Sequence, residues 1–351
     1  MRATIFNAPG NVTVEDRPEP HAGPGAIRLR IAAASLCASD VRVYRGEKHA
    51  APGVIPGHEL AGVVDEVGEG VEGIREGQRV IICPIVACNR CLYCLLGRRN
   101  RCEKRLTLGY DLDGGFADYL VVPPSIVSTG QVFEVADDLP LDIAALTEPS
   151  ACTLASLELC QVRAGTSMAI VGAGPMGLLH LIMGRALGAG PIIVVEPIAE
   201  RREIAKRWGA DLVLDPNVDD VKGAVRASTD GRLGADAVIV SVGVAELVGP
   251  ALDLARPQAV VNLFAGFPRG GAPVPFDPNL VHYSEVLLTG SQNATADQYR
   301  RTLRLLRSTP HIDEVVTNRY TVETSPEAYT ARLAMNGLKS LVQFAGVDPN
   351  N

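Results

Sequence analysis

The stretch from Met168 to Gly177, MAIVGAGPMG, limits what this chain can fold into more than any other. A short apolar strand runs directly into G-x-G-x-x-G, with Gly172, Gly174 and Gly177 as the glycines. Gly172 allows a tight turn, Gly174 lets backbone approach a pyrophosphate, and Gly177 lets the next helix pack closely on its strand. Pro175 and Met176 open that helix, whose N-terminus favours phosphate charge. A second strand, Ile192 to Val195, ends in Glu196, the acidic residue that such a fold turns toward a ribose 2′-hydroxyl. The order strand, turn, helix, strand, acid distinguishes a dinucleotide site from a glycine-rich turn that only packs a helix.

A length of 351 residues allows about two domains with sizeable cores. The net charge of -7 leaves no electrostatic footprint for nucleic acid. The opening residues, MRATIFNAPGNVTVED, lack the apolar core of a signal peptide. Glycines and Pro175 interrupt the longest apolar run, Met168 to Gly184, so it reads as strand plus helix rather than a membrane span. The expectation is a cytoplasmic protein whose eight cysteines are metal ligands or buried thiols.

The first 150 or so residues alternate short apolar runs with Pro and Gly clusters, the pattern of an irregular, mainly antiparallel β domain. From about Leu154 strands and helices alternate, with strands near Met168, Ile192, Leu212, Ala237 and Val260, which is the pattern of a doubly wound parallel sheet. Two helices and a strand, LVQFAGV, follow. The expected plan is α/β: a nucleotide domain (154–288) inserted between two parts, 1–153 and 289–351, of one β-rich domain.

Two constellations carry chemistry. Cys88, Cys91, Cys94 and Cys102 form C-x2-C-x2-C-x7-C, a spacing that closes four thiolates around a tetrahedral structural zinc. The second is dispersed: Cys37 in SLCASD, His58 and Glu59 in PGHELAG, and Glu148 in ALTEPSA. A catalytic zinc takes about three protein ligands and keeps one open position. These residues offer one candidate more than that, with Cys37 and His58 as the firm pair.

Together these motifs resemble the medium-chain, zinc-dependent alcohol and polyol dehydrogenases over nearly the whole chain. The matching residues are GHE-x2-G-x5-G-x2-V from Gly57 to Val71, Cys37-x-Ser39-Asp40, the four-cysteine loop, GGFADY, Glu148-Pro149 and VGAGPMG, in the family's order. The resemblance implies a GroES-like catalytic domain, a Rossmann domain, and hydride exchange between a carbinol carbon and nicotinamide. Glu148-Pro149 is similar to the sorbitol, threonine and sugar dehydrogenase branch, where ethanol-type enzymes have a cysteine. In that branch Cys37, His58 and Glu59 correspond to zinc ligands, and Glu148 either binds directly or holds the metal's water. Ser39 corresponds to the hydroxyl that bonds the substrate oxygen, which a zinc in a dry cleft makes more acidic. The chain departs from the pattern at Ala38, where glycine is usual, and at Arg42, where many members carry a relay histidine. Arginine does not deprotonate, so proton exit falls to water, the cofactor ribose or a glutamate.

Glu196 favours NAD, because a carboxylate accepts ribose hydroxyls and repels a 2′-phosphate. Arg201 matches the arginine that lies along the adenosine, and the pair Arg201 and Arg202 leaves room for NADP as well. Val242 and Gly243 in SVG, Phe264 and Gly266 in FAG, and Ser291 in TGSQNA fall where the fold places nicotinamide contacts. Asn293 and Ala294 stand where sorbitol dehydrogenases put an Arg-Tyr pair; His49, Tyr44 and Asn293 are candidate wall residues. The resemblance thus implies a small-molecule alcohol as partner, a homodimer or homotetramer, one catalytic and one structural zinc, and NAD. The substrate is expected to be a polyol, cyclitol or sugar. A threonine-type amino alcohol, a sugar phosphate, or a lyase or isomerase using bound NAD as internal oxidant are the alternatives.

Overall fold

The computed structural model describes residues 1–267, 270 and 273–347. The last four residues of the expected 289–351 segment lie outside that set. No helix among the described residues is long and apolar enough to cross a membrane. The chain divides into two compact units. One comprises residues 1–151, 294–307 and the segment from Val316 on; the other comprises 152–293 and 308–315.

The second unit is built on a six-stranded parallel sheet. Its strands lie in the order Leu212–Leu214, Ile192–Val195, Met168–Val171, Ala235–Val240, Ala255–Leu263 and Leu287–Gly290. Strands Met168–Val171 and Ile192–Val195 are buried at every position, as continuous apolar runs covered on both faces must be. Strand Leu287–Gly290 carries the nucleotide sheet beyond residue 288, past the boundary expected from sequence. It pairs Asn262↔Thr289 and Leu263↔Gly290. Its exposed Leu287 and Leu288 gave no alternation to mark it as a strand.

The glycines of the phosphate loop show why the motif needs them. A Cβ on Gly177 would lie 1.9 Å from the Gly172 carbonyl oxygen and 2.8 Å from Ser241 Oγ, so only glycine lets helix Pro175–Ala186 approach the strand. A Cβ on Gly174 would meet nothing within 4 Å. That side of the turn is free for a ligand.

His180 on this helix is fully buried. Its Nδ1–H donates to the Met176 carbonyl (2.7 Å), and its ring meets Phe264 edge-on at 4.6 Å. Burial, only partly offset by the Met176 carbonyl, pushes its pKa down to about 4. An imidazole that protonates more readily in the unfolded chain contributes nothing above its unfolded pKa and costs stability below it. Between pH 6.5 and 5 this group alone is expected to remove about 2 kcal/mol, and about 3 kcal/mol by pH 4. His180→Leu should flatten that part of the acid slope in urea midpoints. An unchanged slope would contradict a neutral buried imidazole.

The first unit is a mainly antiparallel sheet in the order Val316–Thr321, Lys339–Gln343, Ile27–Ser35, Glu59–Val67, Arg79–Ile82 and Val132–Glu134. Tyr119–Val122 pairs with Ile27–Ser35 as a branch. Ile27, Leu29, Ile31, Leu60, Val64, Phe116 and Val342 pack in one core. Two C-terminal strands thus complete a sheet begun near residue 27. Helix Ala296–Leu306 also belongs to this unit, and Thr295 and Gln298 cap it reciprocally.

Candidate functional site

Strand Ile27–Ser35 and strand Glu59–Val67 pair antiparallel with Ser35 opposite Glu59. This register carries Cys37, two residues beyond one strand, to His58 and Glu59 at the start of the other. Cys37 precedes helix Ala38–Tyr44, and its backbone N–H donates to Asp40 Oδ2 (2.9 Å), which pins the thiol. Gly57 has φ +93°, and a Cβ there would lie 2.7 Å from the Phe116 ring, so glycine is required immediately before His58. The Cys37 sulfur, a His58 ring nitrogen and a Glu59 carboxylate oxygen all lie within 4.8 Å of one another.

His58 and Asp40 are both buried, with Nδ1 3.4 Å from Asp40 Oδ1. Nε2 therefore points the other way, toward Tyr110 Oη at 3.4 Å. Burial opposes charge on the imidazole, but Asp40 and Cys37 lift its pKa well above the usual value. A metal binding at that ring would displace the proton. Glu59 is fully buried: Oε2 accepts from Lys339 Nζ, while Oε1 has no hydrogen-bond partner among the described residues. A buried carboxylate oxygen left unsatisfied is costly, and a cation there removes the cost. One thiolate, one imidazole and one carboxylate around a shared point suit zinc with an open position.

Glu148 stands in the first turn of helix Thr147–Leu159, outside the group of three. Its charge is nevertheless felt at Lys48, Tyr110 and Lys339. Ser39 Oγ shares a 2.6 Å hydrogen bond with Tyr110 Oη. Arg42 is paired with Glu47 at 3.6 Å. The Tyr44 ring packs on Tyr329, with centroids 5.4 Å apart, and His49 is exposed.

Cys88, Cys91, Cys94 and Cys102 form a second group within 4.8 Å, arranged around the short helix Leu92–Leu95. Cys91 Sγ lies 3.5 Å from Cys94 Sγ, and backbone N–H groups of Cys88 and Cys91 donate to Cys102 and Cys88 sulfurs. Backbone N–H groups of Arg90 and Cys91 draw the Cys88 thiol down to about 6. Such donors prepare a thiolate for a metal.

In the second unit, Glu196 is almost fully buried where strand Ile192–Val195 ends. Oε2 accepts from the Ala173 N–H (2.6 Å) and Oε1 from the Ile198 N–H (3.0 Å), so the carboxylate is anchored in the glycine turn. Arg202 pairs with Asp215 (3.0 Å) and donates to the carbonyls of Glu196 and Pro197. Arg201 is half-buried and makes no ion pair among the described residues. Ser241 Oγ donates to the Val171 and Gly172 carbonyls. Val242 and Gly243 follow strand Ala235–Val240, and a Cβ on Gly243 would sit 2.6 Å from the Gly266 carbonyl oxygen. Phe264 and Gly266 follow strand Ala255–Leu263, and Ser291, after Leu287–Gly290, donates to Asn262 (3.1 Å). All these residues gather at the carboxyl ends of the parallel strands, where this topology binds ligands.

Two family profiles match the chain: the alcohol dehydrogenase GroES-like domain over residues 23–131 and the zinc-binding dehydrogenase over residues 175–308. L-threonine 3-dehydrogenase of Pyrococcus furiosus is 35% identical over 87% of this chain and 86% of its own. The chain belongs to the zinc-dependent medium-chain alcohol dehydrogenase family. L-galactonate-5-dehydrogenase of Escherichia coli K12 is 30% identical over 98% of this chain and 99% of its own. Among solved structures, a zinc-binding dehydrogenase of Sinorhizobium meliloti 1021 bound to NADP matches with TM-score 0.91 and 31% identity, covering 97% of this chain and 98% of that one.

Four residues gathered here were given no role by sequence reasoning: Asp40, Lys48, Tyr110 and Lys339. Asp40, three residues after Cys37, had a local signal, since an acid in the first turn of a helix is well placed to bond the preceding N–H. Tyr110, Lys48 and Lys339 had none.

Proposed function

We propose that this dehydrogenase oxidises a secondary alcohol flanked by a second hydroxyl or an amine, on a polyol, cyclitol or sugar, with NAD as hydride acceptor. The observation that carries the reading is Ser39 beside the converging Cys37, His58 and Glu59. Those three residues would hold the catalytic zinc, and Glu148 would exchange with Glu59 or hold water there. Zinc supplies, when bound, the positive charge that makes the substrate hydroxyl acidic. Ser39 Oγ, which shares a 2.6 Å hydrogen bond with Tyr110 Oη, would accept the hydrogen bond from that hydroxyl. Arg42 takes no part in proton movement, being permanently charged and paired with Glu47. Cys88, Cys91, Cys94 and Cys102 would hold the structural zinc.

NAD, which supplies the hydride acceptor, is favoured by Glu196. The threonine-type reading is the second choice, supported by the relative that shares 35% identity. A homodimer or homotetramer is the assembly we assign, on the resemblance alone.

The experiment is a panel of vicinal diols, cyclitols, sugars, amino alcohols and ethanol, each with NAD and NADP, followed by reduced cofactor. Ethanol lacks the second contact and should be slower by a loss of about 1–2 kcal/mol. Ethanol turnover equal to that of the best diol would reject the reading. Substrate consumed while NAD stays oxidised would point to the lyase or isomerase. In parallel, Glu196→Ala should weaken NAD by about 1.5–3 kcal/mol and NADP by less. Equal losses would mean that Glu196 acts only by anchoring the turn at Ala173.

A further inference from the structure

Lys48 lies over the face of Tyr110, with Nζ 3.4 Å from the ring centroid. The same tyrosine's hydroxyl bonds Ser39. An ammonium thus stands one aromatic ring away from the hydroxyl assigned to the substrate oxygen. Among the described residues its Nζ has no ion pair or hydrogen bond, although the side chain is half-buried. Burial lowers its pKa; Asp40 and Cys37 oppose that, the Arg105 guanidinium lowers it further, and Glu148 raises it. Arg105 donates to the Asn100 carbonyl (3.1 Å) and has no carboxylate partner among the described residues.

The neighbouring cations are neutralised. Arg42 and Arg45 meet Glu47, and Lys339 meets Glu59. The nearby Asp40 is committed to His58 and to the Cys37 N–H. Lys48 thus feels the Arg105 charge, and both cations are half-buried with no carboxylate in contact among the described residues. Holding charge that way is unfavourable unless something of opposite sign binds. The tyrosine face offsets part of the cost but leaves the ammonium's donors unused.

We propose that Lys48 and Arg105 form an anion subsite beside Ser39, so that the alcohol oxidised carries a carboxylate or phosphate a few bonds from its carbinol carbon. This rests on the reading of Cys37, His58, Glu59 and Ser39 as the alcohol site. The anion receives charge-assisted hydrogen bonds from the ammonium and the guanidinium.

The test uses zinc-loaded protein and substrate pairs matched except for charge: 3-hydroxybutyrate against butane-1,3-diol, and glycerol 1-phosphate against glycerol. Binding is read by calorimetry without cofactor, and kcat/KM with NAD and with NADP, at low and at physiological salt. At least one anion should be preferred to its neutral partner by about tenfold or more, with the preference shrinking as salt rises. The pair that shows it tells carboxylate from phosphate. Lys48→Met and Arg105→Gln should each collapse the preference, and Lys48→Arg should retain most of it; if Lys48→Met fails to fold, the other two variants decide. Neutral partners bound and turned over as well as the anions, or a preference surviving Lys48→Met and Arg105→Gln, would overturn the subsite and leave the dehydrogenase reading standing. Lys48-dependent anion binding with no reduction of either cofactor by any alcohol tested would do the reverse.

Discussion

Protein purified without chelator is expected to carry two zinc ions per chain, and the two sites are expected to fail differently when a cysteine is lost. Cys37→Ser removes one of the three donors proposed for the open site, where the surrounding strands Ile27–Ser35 and Glu59–Val67 are held by a large apolar core. It should leave folded protein whose turnover drops by about a thousandfold, the loss of several kcal/mol of charge stabilisation at the reacting oxygen. Cys91→Ser acts on a loop whose buried cluster consists of Ala87, Cys94 and Cys102, with Cys88 and Cys91 packed against it. Little apolar packing remains there once the metal is lost. Zinc binding in small zinc-held domains is worth on the order of 10 kcal/mol, so forfeiting a ligand should open residues 88–102 to protease and lower folding yield. Elemental analysis giving about one zinc per chain would remove one of the two sites. A folded, protease-resistant Cys91→Ser protein would show that the loop holds without its metal.

Lys339→Met is expected to destabilise the metal-free protein by about 3–5 kcal/mol, because it strands Glu59 as a buried, unpaired carboxylate. Lys339 is almost fully buried in strand Lys339–Gln343, bonded to Glu59 and 3.5 Å from the Leu36 carbonyl oxygen. Burial alone would lower its pKa, yet Glu59, Cys37 and Glu148 raise it, so the ammonium stays charged. Zinc at Cys37, His58 and Glu59 neutralises the same carboxylate, so loading the metal should recover much of the loss. The melting temperatures of metal-free and zinc-loaded Lys339→Met should therefore lie further apart than those of the native chain. Adding Glu59→Gln should restore the metal-free form, since the second substitution removes the stranded charge. A metal-free Lys339→Met protein as stable as the native chain would show that Glu59 is already satisfied by another group.

What was legible in the sequence was whatever a few consecutive residues must do together. The glycines at 172, 174 and 177 announce a phosphate turn because the close approach of Gly177 to the Gly172 carbonyl is a local requirement. The cysteines at 88, 91, 94 and 102 announce a metal loop because their spacing alone brings them round one point. His58 and Glu59 were legible as neighbours in one motif. The tertiary structure decided what depends on strand pairing. Pairing of Leu341 with Ser35 brings Lys339 onto Glu59 from 280 residues away, and no periodicity in the chain reports such a contact. The Tyr110 hydroxyl on Ser39 and the Lys48 ammonium over that ring likewise depend on how separate loops close around the sheet. Glu148 was the candidate donor that the sequence left as either a direct ligand or a holder of the metal's water, and the fold sets it outside the group that the other three form. Strand Leu287–Gly290 joined the nucleotide sheet because its partner strand offered an open edge, a condition its own residues do not carry. Local spacing selects the chemistry available to a chain; the long-range hydrogen-bond register selects which side chains share the site, because a charge buried beside a metal is stable only where another strand supplies its counter-ion.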